Sequence, residues 1–425
     1  MNASSTSAWT LTCHSNYGAE DGRVTAIRAT ATGFDVHTIP AAPKSGLSIE
    51  RRPVFLGLRA DLQALLLDPV TKKIASAAQV PVDVVPTYAY PEHANTRLWF
   101  SNDGDEETGN DTLNCGMTGS SVTIIENKKD GAVLKTLCIG RGHHVTAFSG
   151  PSADRPAIPQ RAFVSNLQDG TISVLGNDPA RTSEYLSVIH TINLVEPDKE
   201  KTPGISVPNN AFPHGMVFSA VSGRIYNLNN GYGTVVVIDP INNAIEARIP
   251  LPGCSNLLLS PNGRYVIGKG ADRKSNPDHV IGKIAVIDVT THTVAAELNV
   301  PDFYPSTFRF SPDGQKLYVT SAATGKGKQK DHLKLRTVLV FDARALPDLK
   351  LLREIPVGAA DCSRRPLAFV SDGGRPRYVF VPNPTDGTLS VLDAGSDGLV
   401  ETLTIGPPGC EEVLFSFWDS AIGGC

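Results

Sequence analysis

Three observations predict an all-β fold built from a repeated four-stranded unit. A phrase recurs along the chain: Phe310-Ser311-Pro312-Asp313-Gly314 runs into Lys316-Leu317-Tyr318-Val319-Thr320, Leu259-Ser260-Pro261-Asn262-Gly263 into Tyr265-Val266-Ile267, and Phe218-Ser219 through Ser222-Gly223 into Ile225-Tyr226-Asn227-Leu228. Each copy reads as an apolar strand, a tight polar turn and a second β-rich strand. A third strand ending in an acidic residue follows each copy, namely 235–239, 284–288 and 337–342. A fourth strand then closes the unit, as at 245–250 and 294–300. Four antiparallel strands at a period of roughly 40 to 50 residues are the blades of a β-propeller.

Taken in order, blades are expected at about 82–139, 141–195, 212–251, 253–301, 304–357 and 361–405. The chain ends read as halves of one further blade, 8–38 with 408–418. Glu411-Glu412-Val413-Leu414-Phe415-Ser416 has the first-strand pattern, and Trp9 to Asn16 the second-strand pattern. Pairing them closes the ring and removes exposed strand edges. Segment 46–80 holds strand-like runs at 53–58 and 64–68 but no turn signature. Counting it gives eight blades, the reading taken here; discounting it gives seven. All of 1–425 is expected to form a single domain, because each blade contacts mainly its neighbours.

The 41% hydrophobic and 19% charged residues are ordinary for a soluble globular chain. A net charge of -4 with no basic stripe argues against nucleic acid as a partner. No apolar run is long enough to span a membrane. The first residues, Met1 to Thr6, lack a signal region, which fits a cytoplasmic protein or a secreted one whose leader was removed. Seven cysteines leave an odd count. Two pairings are conceivable, Cys13 with Cys410 across the closing blade and Cys115 with Cys138 within one blade, against the alternative of buried thiols.

The start of strand one and the end of strand two lie at the same end of a blade, and strand one lines the channel. Five residues before the Phe-Ser or Leu-Ser step stand His144, His214, Ser255, Ser306 and Glu411, with Arg365 or Pro366 in a sixth blade. One residue earlier stand His143, Pro213, Cys254, Pro305 and Cys410. A strand that only packs would be apolar there. Strand-two ends add His14, Asn16, Asn166, Asn229, Lys269 and Arg273 at the same end. The long connections 102–120, 196–211, 269–281 and 321–336 fall there too, while the other end has tight turns such as Pro312-Asp313-Gly314. Converging polar groups under long loops on a rigid scaffold mark a binding site.

In this reading His144 and His214 move protons, Arg365 or Lys269 holds oxyanion charge, and Glu411 orients an imidazole. His14, His143, Asn166, Tyr232, Ser255, Lys269, Arg273 and Ser306 contact the substrate. Each has a plain alternative: the histidines orient turns, Arg364 and Arg365 neutralise nearby glutamates, and Tyr232 packs. His93, His143, His144 and His214 on neighbouring blades allow a copper or zinc reading, although no local ligand spacing supports it. Ser255 and Ser306 lack a nucleophile elbow, and no phosphate-binding glycine loop sits between strand and helix. No cofactor and no metal are expected.

Phe163-Val164-Ser165-Asn166 with Asp169-Gly170-Thr171-Ile172-Ser173-Val174, and Ser311-Pro312-Asp313-Gly314 with Tyr318-Val319-Thr320, resemble the YVTN-type, lactonase-like propellers over roughly 140–405. That resemblance implies a propeller and leaves activity open, since such propellers include lactonases, cycloisomerases, metal oxidoreductases and binding scaffolds. A similarity to fungal propeller hetero-Diels–Alderases is carried by no diagnostic motif. The expectation is a cofactor-free enzyme acting on a small, mostly apolar oxygenated metabolite by dehydration and cyclisation or by isomerisation. The alternatives are a lactone hydrolase, a non-catalytic binding propeller, and a copper or zinc oxidoreductase.

Overall fold

The computed structural model describes residues 9–15, 23–30, 32–40, 43–45, 54–59, 63–67, 74–79, 86–92, 96–102, 115, 120–126, 132–204, 206–361, 365–372, 375–406, 408–409 and 412–417. Six successive four-stranded antiparallel sheets run from Pro86 to Thr404. Sheet C holds Pro86–Pro91, Arg97–Asn102, Ser120–Glu126 and Val133–Ile139. Sheet D holds His143–Ser149, Arg161–Asn166, Thr171–Gly176 and Val188–Asn193. Sheet E holds Pro213–Ser219, Arg224–Asn229, Thr234–Asp239 and Ala244–Pro250. Sheet F holds Cys254–Leu259, Tyr265–Asp272, Ile281–Asp288 and Thr293–Pro301. Sheet G holds Pro305–Phe310, Lys316–Ser321, Thr337–Asp342 and Lys350–Pro356. Sheet H holds Ala368–Asp372, Arg375–Asn383, Thr388–Asp393 and Gly398–Thr404.

Two more four-stranded sheets involve the N-terminal part. Sheet A orders Phe34–Pro40, Arg23–Ala29 and Trp9–Ser15 beside the C-terminal strand Glu412–Phe417. Sheet B is Pro43–Ser45, Val54–Arg59, Gln63–Leu67 and Ile74–Gln79, in the segment that carries no turn signature. In sheet A, Cys13 stands opposite Leu414; Cys410 lies outside the described residues. Cys115 and Cys138 are joined as a disulfide, their Cα atoms 5.3 Å apart.

The core lies between sheets. Ile225, Val236 and Ile238 of sheet E meet Phe163, Ile172 and Val174 of D. Their alternate neighbours Tyr226, Val235 and Val237 meet Val266, Ala285 and Ile287 of F. The same alternation joins F to G through Ile267, Val286, Leu339 and Phe341, and G to H through Tyr318, Val340, Val379 and Leu392. Phe380 and Val391 of H pack with Ile27 of A. Strands two and three are buried on both sides, so apolar residues occupy consecutive positions in them, and the polar residues they hold, such as Asn166, Ser173 and Asn227, are buried as well. The recurrent turn phrase is explained locally: Ser260 Oγ and Ser311 Oγ each bond the Asn262 or Asp313 side chain and accept from the backbone N–H of Tyr265 or Lys316. Gly263 and Gly314, at φ 69° and 71°, supply the left-handed step. Among the described residues the one α-helix, Gln329–His332, sits inside the long loop 322–336, and no helix is long and apolar enough to cross a membrane.

Candidate active site at the start of the first strands

The first strands share a defect in register. In sheet E, Pro213 pairs with Asn229 and Gly215 with Leu228, so His214 is an extra residue. In F, Cys254 pairs with Gly270 and Asn256 with Lys269, leaving Ser255 extra. Sheets D and G carry one extra residue at His144–Val145 and Ser306–Thr307. The same bulge falls on Thr87 in C and Lys44 in B. A bulge bends the strand and re-aims a side chain out of the ladder. The sequence alignment found four of these positions and missed Lys44 and Thr87. A usable signal was present, because Pro43, Pro86, Pro213 and Pro305 each stand just before the bulged residue. Proline has no N–H to give to a ladder and suits a strand's first position.

The bulged residues are linked from sheet to sheet. His214 Nδ1 lies 2.5 Å from the Ser255 carbonyl oxygen. A carbonyl only accepts, so Nδ1 carries the proton and Nε2 is the basic nitrogen of the neutral ring. Gly215 allows this approach, since a Cβ there would come within 2.8 Å of Asn256 Oδ1 and Leu257 N. Ser255 Oγ donates to the Lys269 carbonyl at 3.4 Å. The Lys269 ammonium donates to the Pro305 and Ser306 carbonyls and lies 5.5 Å from the Phe308 ring centre. Ser306 Oγ accepts from Arg365 N at 3.2 Å, and Thr320 Oγ1 donates to the Arg365 carbonyl at 2.5 Å. His214, Ser255, Lys269 and Ser306 are half-buried.

Arg365 is 0% exposed, so its guanidinium lies beneath this ring rather than in it. Nη2 donates to Gly358 O at 2.7 Å, while Nε and Nη1 have no partner among the described residues. Burial pushes its pKa down to about 10, partly opposed by Asp361 and Asp386.

Asn166, expected to hold substrate, is fully buried, its amide 2.9 Å from Thr171 Oγ1 and 3.0 Å from Ser173 Oγ. Asn383 repeats the arrangement on Thr388 and Ser390. The repeated Asn-Thr-Ser set locks strand two to strand three. Tyr232 is 8% exposed and donates to Glu200, and burial raises its phenol pKa. Glu200 also accepts from Asn210 N and Nδ2, and Glu196 from Thr234 and Lys199. The connection 196–211 is thus tied to sheet E instead of standing free as a lid. Arg273 is exposed, 5.6 Å from the Tyr304 ring centre. His143, His144 and His14 are placed by backbone alone: His143 pairs with Asn166, and His14 with Arg23 and Val413. Glu411, Asn16, His93 and Arg364 lie outside the described residues. Cys254 is buried, which pushes its thiol up to about 12. Among the described residues no group of three or more His, Cys, Asp or Glu is gathered as a metal site.

No family model matches this chain, and no curated protein matches it. Solved structures do. The dihydro-heme d1 dehydrogenase NirN matches over 95% of this chain and 74% of its own, with a TM-score of 0.60 and 14% identity. A putative 6-phosphogluconolactonase from Bacteroides uniformis matches over 96% and 99%, with a TM-score of 0.53 and 13% identity. The periplasmic gluconolactonase PpgL of Pseudomonas aeruginosa matches over 96% and 99%, with a TM-score of 0.51 and 16% identity. Two of the three carry lactonase names, and none of these names points to a cyclase or a Diels–Alderase. At such identities the likeness is one of fold: this chain is an all-β protein of the propeller kind.

Proposed function

We propose that the chain is a lactone hydrolase whose eight sheets close into one eight-bladed ring, with the reaction at the ring of bulged residues. The observation that carries this is the bulged His214, whose tautomer is fixed by the Ser255 carbonyl. The lactonase names among the structural neighbours favour hydrolysis over the cyclisation expected from sequence. In this mechanism Nε2 of His214 takes a proton from water, and the oxygen attacks the lactone carbonyl. Lys269 and the buried Arg365 set a positive potential for the developing oxyanion. Collapse breaks the ring C–O bond, and the imidazolium returns its proton to the leaving alkoxide, giving a hydroxy acid. Ser255 and Ser306 border the bound ring, and His144 and Glu411 are assigned the second acid–base position.

The test is proton release from a panel of γ- and δ-lactones at constant pH, for wild type and His214→Gln. Loss of general base catalysis lowers kcat about 10²- to 10⁴-fold. Wild type that opens no lactone above the buffer rate, or a His214→Gln variant with unchanged kcat, removes this reading.

A further inference from the structure

A second cluster stands outside the bulge ring, where two long loops of the same end meet. His279 closes the loop 273–280, and His332 lies in the short helix of the loop 322–336. Their rings stack with centroids 4.5 Å apart and planes 30° apart. His279 Nδ1 is 2.7 Å from Asp302 Oδ1, so the carboxylate accepts and the lone pair of the neutral ring is on Nε2. Asp302 is itself fixed: its N–H donates to the Val280 carbonyl, and its carbonyl accepts from Lys334 N, both at 2.8 Å. The loops are clasped by Gln329, 1% exposed, whose Nε2 donates to Arg273 O at 3.2 Å and Asn276 O at 2.7 Å. The histidine pair is solvent-accessible, with the His279 side chain 40% exposed and His332 exposed.

We infer that His279 and His332 form a surface site for a borderline divalent transition metal such as zinc, copper(II) or nickel, which clasps the two loops. A carboxylate behind a histidine fixes its tautomer and raises its basicity toward a metal, which is the role Asp302 holds. Imidazole nitrogens suit these ions and not magnesium or calcium. Binding would turn the exposed His332 out of the observed stack, so that one of its ring nitrogens and His279 Nε2 would each meet the ion at the usual metal–nitrogen distance of about 2.0–2.1 Å, with water completing the coordination. The site is independent of the lactonase reading, since neither histidine has a task in that chemistry.

Zinc chloride is titrated calorimetrically into full-length wild type, His279→Gln, His332→Gln and Asp302→Asn, with magnesium chloride as control. The expected result is one saturable zinc site, absent in both histidine variants and weakened about 10- to 100-fold in Asp302→Asn, with no magnesium heat. Zinc also raises the wild-type melting temperature and leaves that of His332→Gln unmoved. Absence of a saturable site in wild type overturns the inference, and so does equal zinc affinity in His332→Gln, which would place the metal on other histidines. His332→Gln changes one exposed side chain, so misfolding does not blur the outcome.

Discussion

The two ends of the sheets are stitched to their neighbours by different means. At the turn end, a side chain from the start of strand two reaches the strand-three-to-four turn of the next sheet. Arg161 of D donates to Pro240 O and Asn243 Oδ1 of E at 2.5 and 2.9 Å. Tyr226 of E donates to Val289 O and meets His292 Nδ1 at 3.2 and 3.0 Å. Lys316 and Tyr318 of G share Asp397 of H, at 2.7 and 2.6 Å. Burial pushes the Tyr226 phenol up to about 12 and lowers the His292 pKa. At the mouth end, the links run through the bulged residues themselves, through His214, Ser255 and Ser306, and leave basic and nucleophilic groups half-exposed. The difference teaches a division of labour: the turn end holds the sheets, and the mouth end holds them while presenting polar atoms.

Substitutions sharpen or break that contrast. The largest stability effect belongs to the mouth end of sheet C, where the Cys115–Cys138 disulfide spans a sequence separation of 23. Cys138→Ser costs about 3 kcal/mol through the unfolded chain, read from denaturant midpoints, and the intact mass of wild type lies at least two hydrogens below that of the reduced chain. Next, Asp397→Asn keeps the turn residue's left-handed φ of 56° but strips Lys316 and Tyr318 of their shared charge. With Lys316 a fifth exposed, the expected loss is about 2 kcal/mol, below the full cost of breaking a buried pair. Lactone turnover per folded molecule stays as in wild type; a fall in kcat would break the proposed division. Third, Ser219→Ala at the turn end deletes a 2.6 Å hydrogen bond to Gly263 O between sheets E and F, for about 1 kcal/mol.

The smallest effect is in acid. Asp272 at the mouth end is held at about 2, first by the Ser275 hydroxyl, then by the Lys274 and Ser275 N–H groups. Asp342 at the turn end is held at about 2, first by the Arg344 guanidinium and then by the Arg344 N–H. Both folded values lie below the ordinary 3.8, so the stability they give is present above pH 3.8 and is lost as pH falls toward 2. Asp272→Asn and Asp342→Asn each flatten part of that acid limb in thermal melts. An unchanged limb in both variants would assign it to other carboxylates.

The sequence by itself determined the repeat and the turn chemistry. Those properties are local: Ser-Pro-Asp-Gly folds on its own hydrogen bonds, and apolar runs at a fixed period need no knowledge of neighbours. It also singled out His214, Ser255 and Ser306 by their repeat position and Lys269 by its place at a strand-two end, and the structure links these residues from sheet to sheet. The tertiary structure alone decided what each side chain is used for. Asn166 and Tyr232 look like ligand groups in one dimension, yet strand three and Glu200 occupy them. Arg365 looks like a mouth cation and lies buried beneath the ring. Lys44 and Thr87 join the bulge set through register, which belongs to a pair of strands and not to either one. The clasp of His279 to Asp302 and His332 brings together residues from two sheets' loops, and only the packing of one sheet on the next sets that contact.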